Sequence, residues 1–372
     1  MKIADLDTPA LLIDAQIMHE NLTRMQKQAD AWHVDLRPHT KTHKSPEIAK
    51  MQVQLGARGI TVAKTGEAEV MAENGLDDIF IANEIVGTTK LKRIHTLCTR
   101  GTNVSFGVDS LEALAQIEQV FTSDYPAHLL VEVETGENRS GVTDPALFVE
   151  LLETIARSTH IVFDGVFSHE GHSYSALDSA DGLRLLDLAQ RETLDYVKIA
   201  RSHGFACKRV SIGSTPSLMN AAQRNHPLMD GITEIRPGTY VYMDAGQANA
   251  IGTYAQCAAS VLATVISKPT ADRVIADAGA KALTMQSRGR GVCQTEGKGR
   301  IVWKRDLDVT SVFDEHTIIL DREFHDAVGI GEKIRIIPNH ICPVVNLYDV
   351  AYLVSDGQVI AELPISARGK TT

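Results

Sequence analysis

Between about residues 34 and 236 the chain alternates short apolar strands with helical periodicity, and this alternation limits the folds open to it. The first strand is Val34-Asp35-Leu36. The others are expected at about Gly59 to Val62, Asp78 to Ala82, Asn103 to Val108, Ala127 to Glu134, Ile161 to Ser168, Arg209 to Gly213 and Ile232 to Arg236. Helix-period stretches separate most of them, so the strands must run parallel with both faces covered. Eight such units in about 200 residues is the count of a (β/α)8 barrel, with a doubly wound sheet as the competitor.

The residues after the strands favour the barrel, because strand ends on one face are where barrels carry chemistry. Lys41 follows the first strand, Arg139 the fifth, and His169 and Tyr174 the sixth. The seventh runs into Ser211-Ile212-Gly213-Ser214-Thr215-Pro216 and the eighth into Arg236-Pro237-Gly238-Thr239-Tyr240. Glycine lets an anion approach backbone N–H groups, Ser and Thr add hydroxyl donors, and a helix start adds its dipole. Gly213, Ser214, Thr215, Gly238, Thr239 and Tyr240 are therefore candidate phosphate ligands.

From about Ile251 the texture changes. Cys257 to Ile266, Arg273 to Ile275, Thr317 to Leu320, Lys333 to Ile337 and Ala351 to Val354 read as strands without intervening helices. We expect a barrel over 8–250 and a mostly β domain over 251–372, joined by residues 1–7. Pro9 to Ile13 reads as a short strand, with Asp14 capping a helix that runs to about Trp32.

Composition excludes several functions. With 372 residues, 44% hydrophobic content and a net charge of −10, the chain resembles an ordinary globular protein and lacks the basic surface that nucleic acid requires. No apolar run is long enough for a membrane span, and the amino terminus lacks a signal-peptide pattern, so a cytoplasmic location without a membrane partner is expected. The five cysteines, Cys98, Cys207, Cys257, Cys293 and Cys342, are an odd, scattered set unsuited to a disulfide framework.

The turn Arg37-Pro38-His39-Thr40-Lys41-Thr42-His43-Lys44 joins the first strand to a helix starting near Pro46. A lysine here can attack a carbonyl only as the neutral amine, which needs desolvation or neighbouring positive charge. Arg37, His39, His43 and Lys44 could supply that charge; a solvated, anion-binding turn is the plainer alternative. Ser168-His169-Glu170-Gly171-His172-Ser173-Tyr174 collects two imidazoles and a phenol, a set suited to a flat ligand and to proton transfer. Near the carboxyl end, Pro338-Asn339-His340-Ile341-Cys342 puts an imidazole and a thiol two apart. On a strand they would share a face and could hold one soft or borderline cation.

These motifs resemble those of the D-serine dehydratase and D-threonine aldolase family, enzymes of the alanine-racemase-like fold. The resemblance runs from about Leu6 to Tyr348. It rests on Arg37 to Lys44, on Glu134 to Val142, on His169 to Tyr174 and on Pro338 to Cys342. It implies that Lys41 carries pyridoxal phosphate, that Arg139 contacts its phenolic oxygen, that His169 lies against its ring and that Tyr174 belongs to the cofactor site. It implies His172 as a proton-handling or supporting group and His340 with Cys342 as ligands of a divalent metal, zinc being favoured by the thiolate. Phe313 to His316 departs from the family pattern at both ends, with Thr317 where the family has glycine; this stretch and Asp277 to Leu283 are expected to be scaffold.

The implied activity is dehydration of a small D-3-hydroxy amino acid such as D-serine to a 2-oxo acid and ammonia. Cleavage of D-threonine or D-3-hydroxyaspartate to glycine and an aldehyde is the alternative. A non-catalytic pyridoxal-phosphate carrier is the rival from another class, and such carriers lack the second domain. A homodimer is the implied assembly.

Overall fold

The computed structural model describes residues 1–372, which divide into two compact units. One comprises 25–41, 46–238 and 369–372; the other comprises 1–24, 42–45 and 239–368.

The first unit contains eight parallel strands: Asp35–Leu36, Ile60–Val62, Asp78–Glu84, Asn103–Val108, Ala127–Val133, Ile161–Ser168, Arg209–Ile212 and Glu234–Ile235. Each of the eight expected strands is present. Consecutive strands from Ile60–Val62 onward pair in parallel, and the first pairs with the last, Asp35 opposite Glu234 and Leu36 opposite Ile235. A bridge between His39 and Thr61, with the Thr40 N–H donating to the Thr61 carbonyl at 2.8 Å, joins the first two strands. The sheet is therefore a ring, which leaves no edge to protect.

The helices cover the ring through apolar stripes. In Pro145–Arg157, Asp144 caps the start by accepting from the Ala146 N–H at 2.8 Å, and proline stands in the first turn, where its missing N–H costs nothing. Phe148, Leu151, Leu152 and Ile155 recur at helical spacing and are buried. Each contributes about 1.5–3 kcal/mol by leaving water.

Inside the ring, Phe80, Leu130 and Phe167 form a cluster in which the two rings meet edge to face at 5.1 Å. Next to it lies a charged network. Glu234, 2% exposed, receives Arg37 at 2.7 Å and Arg209 at 3.0 Å, and Arg37 also reaches Asp78 at 2.7 Å. Gly165 marks an irregularity where the register with the fifth strand shifts. A Cβ there would lie 1.9 Å from the Arg209 carbonyl oxygen at a φ of +151°, so only glycine permits this pairing.

The second unit is built on a nine-stranded sheet. Its main path runs Ser311–Val312, Thr317–Leu320, Arg273–Ala276, Ala259–Ser267, Ala10–Asp14, Val350–Ser355 and Gln358–Pro364, with Arg300–Ile301 and Lys333–Ile337 off it. Ala10–Asp14 is antiparallel to Ala259–Ser267 and parallel to Val350–Ser355. Leu11, Leu12 and Ile13 are fully buried, as expected of a central strand. The division runs differently from a single break after residue 250, because this amino-terminal strand and the segment from Thr239 belong to the β-rich unit.

Two further differences concern the tail. Short helices, Ala280–Leu283, Arg322–Ala327 and Ile341–Val345, interrupt the strands. The strand Gln358–Pro364 was not expected; most of it is exposed, so it lacks the apolar alternation by which a strand is recognised. No helix is long and apolar enough to cross a membrane.

Candidate active site

In the barrel unit the turn after the first strand places Lys41 half-buried, its backbone N–H donating to His39 Nδ1 at 3.4 Å. Of the sources of positive charge read in the sequence, Arg37 and His39 do not serve. Arg37 is neutralised by Asp78 and Glu234. Burial holds His39 well below its ordinary value, and the charges of Lys41 and Arg236 push it further down, so it is neutral. His43 is buried and accepts the Ser45 N–H at 3.1 Å. Lys44 is buried in a left-handed conformation at φ 54°. The cation that sequence reasoning missed is Arg236, read there only as part of a turn.

His169 extends the cluster. Burial lowers its proton affinity, Lys41 and Arg139 lower it further, and the ring stays neutral. Its Nδ1–H donates to the Gly213 carbonyl oxygen, which leaves Nε2 as the acceptor, 4.0 Å from Glu137 Oε2. Lys41, His169 and Gly213 are thus linked: the lysine's charge is felt by the imidazole that touches the glycine turn.

Gly213 also has a packing role. A Cβ there would lie 2.9 Å from the Arg236 backbone nitrogen, so it permits the seventh and eighth strand ends to approach. Ser214 precedes the helix Thr215–Gln223 in extended conformation without a side-chain cap bond, and its hydroxyl meets that of Ser173 at 2.8 Å. Thr215 Oγ1 accepts the Gly238 N–H at 3.3 Å. The two glycine turns are therefore adjacent, as a shared anion site requires.

Arg139 is 53% exposed and pairs with Glu137 at 3.4 Å and Glu132 at 3.9 Å. Glu137 itself lies under Gly171, where a Cβ would collide with its carboxylate. Burial raises the Glu137 carboxyl's proton affinity against the pull of Arg139 and Lys41. Behind this loop Glu84 is held protonated, pushed up to about 9 by burial and by the hydrogen bond and charge of Glu132. His172 lies on the short 3-10 turn Gly171–Ser175 with Tyr174.

This cluster fits an anionic, flat cofactor. Arg236 Nη1 and His172 Nδ1 are buried without a protein partner, which leaves polar capacity for a ligand. The helix start at Thr215 adds N–H groups beside two hydroxyls and two glycine turns.

The β-rich unit holds the second cluster. His340 and Cys342 are brought together, but not on a strand: the strand ends at Ile337, His340 is the extended residue before the helix Ile341–Val345, and Cys342 is in that helix's first turn. The expected two-residue alternation therefore does not operate. Side-chain bonds replace it. His340 is hydrogen-bonded to Cys342, and its Nδ1 lies 3.0 Å from Asp244 Oδ2. Burial lowers the imidazole's affinity for a proton, but Cys342 and Asp244 outweigh it and carry it to about 9.

Cys342 Sγ also lies 3.2 Å from Thr42 Oγ1 and 3.7 Å from Thr239 Oγ1, and Tyr240 is buried in the same short turn as Thr239. A nitrogen and a sulfur donor suit zinc, and no group of three or more His, Cys, Asp or Glu is arranged as a metal site, so this pair would leave coordination positions open. Asp244 was not legible in the sequence, since nothing in Tyr242-Met243-Asp244-Ala245 points to residue 340.

Comparison with known proteins agrees with this organisation. The family model described as "Alanine racemase, N-terminal domain" matches residues 13–246, and the "putative serine dehydratase domain" matches 258–354. The chain is 35% identical over 372 residues to a D-threonine aldolase of Arthrobacter sp., covering 99% of this chain and 94% of that one. It is 36% identical over 365 residues to a D-threo-3-hydroxyaspartate dehydratase of Delftia sp. (strain HT23), covering 91% of each. Among solved structures, a variant of a D-threo-3-hydroxyaspartate dehydratase with a cysteine replaced by alanine, described as the metal-free form, superposes with a TM-score of 0.89 at 30% identity over 98% of both chains. The chain therefore belongs to the alanine-racemase-like family of D-serine dehydratases and D-threonine aldolases, and it is a lyase.

Proposed function

We propose that this protein is a pyridoxal-phosphate- and divalent-metal-dependent lyase that dehydrates a D-3-hydroxy amino acid such as D-serine to a 2-oxo acid and ammonia. The observation that carries this reading is that one chain holds both clusters: a lysine beside neutral imidazoles and glycine turns, and a His–Cys pair with open coordination positions. When bound, pyridoxal phosphate supplies an electron sink at Cα, and the metal supplies a Lewis acid for the departing β-hydroxyl.

The chain's own residues do the rest. Lys41 holds the cofactor through its amine and, once displaced by substrate, takes the Cα proton. Gly213, Ser214, Thr215, Gly238, Thr239 and Tyr240 hold the phosphate, Arg139 the phenolic oxygen, and His169 and Tyr174 border the ring. His172, with an unpartnered Nδ1, moves a proton at the β-oxygen. His340 and Cys342 hold the metal; the thiolate favours zinc.

Incubation with D-serine, D-threonine and D-3-hydroxyaspartate, measuring 2-oxo acid against glycine, tests the reaction. Glycine as the sole product would replace dehydration by aldol cleavage, the second reading, which the 35% identity to an aldolase across nearly the whole chain favours. Lys41→Ala is expected to abolish both the cofactor's visible absorbance and turnover. A non-catalytic carrier would keep its cofactor and show no metal-dependent activity; the His340–Cys342 pair and the β-rich unit speak against it. Two lesser inferences are a homodimer, to be checked by light scattering, and a cytoplasmic location, supported by five free cysteines.

A further inference from the structure

We propose that Asp244 is the positioning residue of the metal site: it fixes the tautomer and the angle of His340 so that only Nε2 is presented to the metal. This rests on the reading of His340 and Cys342 as metal ligands. The Asp244 side chain is fully buried, a costly place for a carboxylate unless its oxygens are engaged. They are. Oδ1 accepts the Gln247 N–H at 2.8 Å, capping the helix Ala245–Ile251. Oδ2 lies 3.1 Å from the Ile341 N–H and 3.0 Å from His340 Nδ1. One oxygen thus grips both the imidazole and the backbone amide that follows it.

The consequence for the ring is chemical. A carboxylate accepts only, so Nδ1 keeps its proton and Nε2 is the nitrogen that gives up its own when a metal binds. Arg288 Nη2 is also 3.4 Å from Nδ1, but an N–H there cannot accept from arginine, and the shorter contact to the carboxylate decides the tautomer. The loop is held from the same side: the Ala245 N–H donates to the Pro338 carbonyl at 3.0 Å and the Gly246 N–H to that of Asn339 at 3.3 Å. Gly246 has no side chain because a Cβ would lie 3.0 Å from Arg288 and 3.3 Å from the Asn339 oxygen. The start of this helix and the ligand loop therefore form one piece, whose charged contact is Asp244 to His340. A carboxylate on the second nitrogen of a metal-bound imidazole orients it and raises its basicity.

The test is Asp244→Asn, which keeps one oxygen for the helix-capping Gln247 N–H and loses the charge and the second acceptor oxygen that faces His340 and the Ile341 N–H. Zinc affinity is measured on the pyridoxal-phosphate-loaded protein by competition with a chromophoric chelator. His340→Ala serves as the control, and cofactor absorbance and circular dichroism check that the fold is kept. The expected result is a loss of about 10- to 100-fold in zinc affinity with the cofactor spectrum unchanged. An affinity within about threefold of wild type, while His340→Ala loses zinc, would make Asp244 a helix cap only and overturn the proposal while leaving the metal site intact. Zinc affinity equal in wild type and His340→Ala would instead overturn the metal site and this proposal with it. Should the variant not fold, a crystal structure of zinc-loaded wild type decides: zinc on Nε2 with Asp244 on Nδ1 supports the assignment, and zinc on Nδ1 refutes it.

Discussion

Glu234→Gln tests whether the charged network inside the barrel holds the lysine-bearing strand in place. Glu234 lies between Arg37 and Arg209, and its carboxyl is 2% exposed. Burial alone would raise its proton affinity, but Arg209, Arg37 and the Ser211 hydroxyl overcome that and hold it down from 4.5 to about 2. At about 1.4 kcal/mol per tenfold change in proton affinity, that difference amounts to about 3 kcal/mol. Breaking a buried ion pair by removing one partner costs a similar amount, about 3–5 kcal/mol.

Glutamine has the same shape without the charge, so Arg209 loses its carboxylate while Arg37 keeps Asp78 at 2.7 Å. The sign with pH follows from the lowered value. The stabilisation is complete above the ordinary carboxyl value of 4.5 and is lost as pH falls through about 2. Urea unfolding followed by Trp32 fluorescence in a Trp303→Phe background reads the barrel unit, since Trp32 Nε1–H donates to the His226 carbonyl there at 3.1 Å. The variant is expected to lose about 3 kcal/mol at pH 7, and the gap should shrink toward pH 2. A loss below about 1 kcal/mol at pH 7, or a gap that does not change with pH, would refute the reasoning.

Two other perturbations follow. Gly165→Ala drives a Cβ to 1.9 Å from the Arg209 carbonyl, so the sixth and seventh strands must separate; we expect a thermal midpoint lowered by several degrees, and an unchanged midpoint would contradict the close approach. Glu84 is the opposite case to Glu234. Its folded value is raised from 4.5 to about 9, so its contribution is complete at acid pH and is lost as pH rises toward 9. Glu84→Gln should therefore flatten the fall in thermal stability between pH 5 and pH 9, by about 1–3 kcal/mol at the upper end. Parallel curves for variant and wild type would show that the Glu84–Glu132 pair shares no proton.

The barrel was readable because parallel strands are buried on both faces and glycine-rich turns punctuate them; Asn103–Val108 and Ile161–Ser168 stand out for that reason. The chemistry after the strands was readable as residue types. Its electrostatics were not: Arg37, read as a source of charge for Lys41, is spent on Asp78 and Glu234, residues 41 and 197 positions away. The tail was harder, since Arg300–Ile301 and Ser311–Val312 are too short for any periodicity to show.

The order of residues along the chain determined which elements form and which side chains stand at their ends, because burial patterns and turn chemistry act over a few neighbouring positions. Tertiary structure alone decided the protonation and partners of those side chains. Asp244 meets His340 across 96 positions, and Glu84 is pushed toward its protonated form by burial and by Glu132 of another strand, because burial makes a charge answer to whatever group the fold brings near, however distant in the chain.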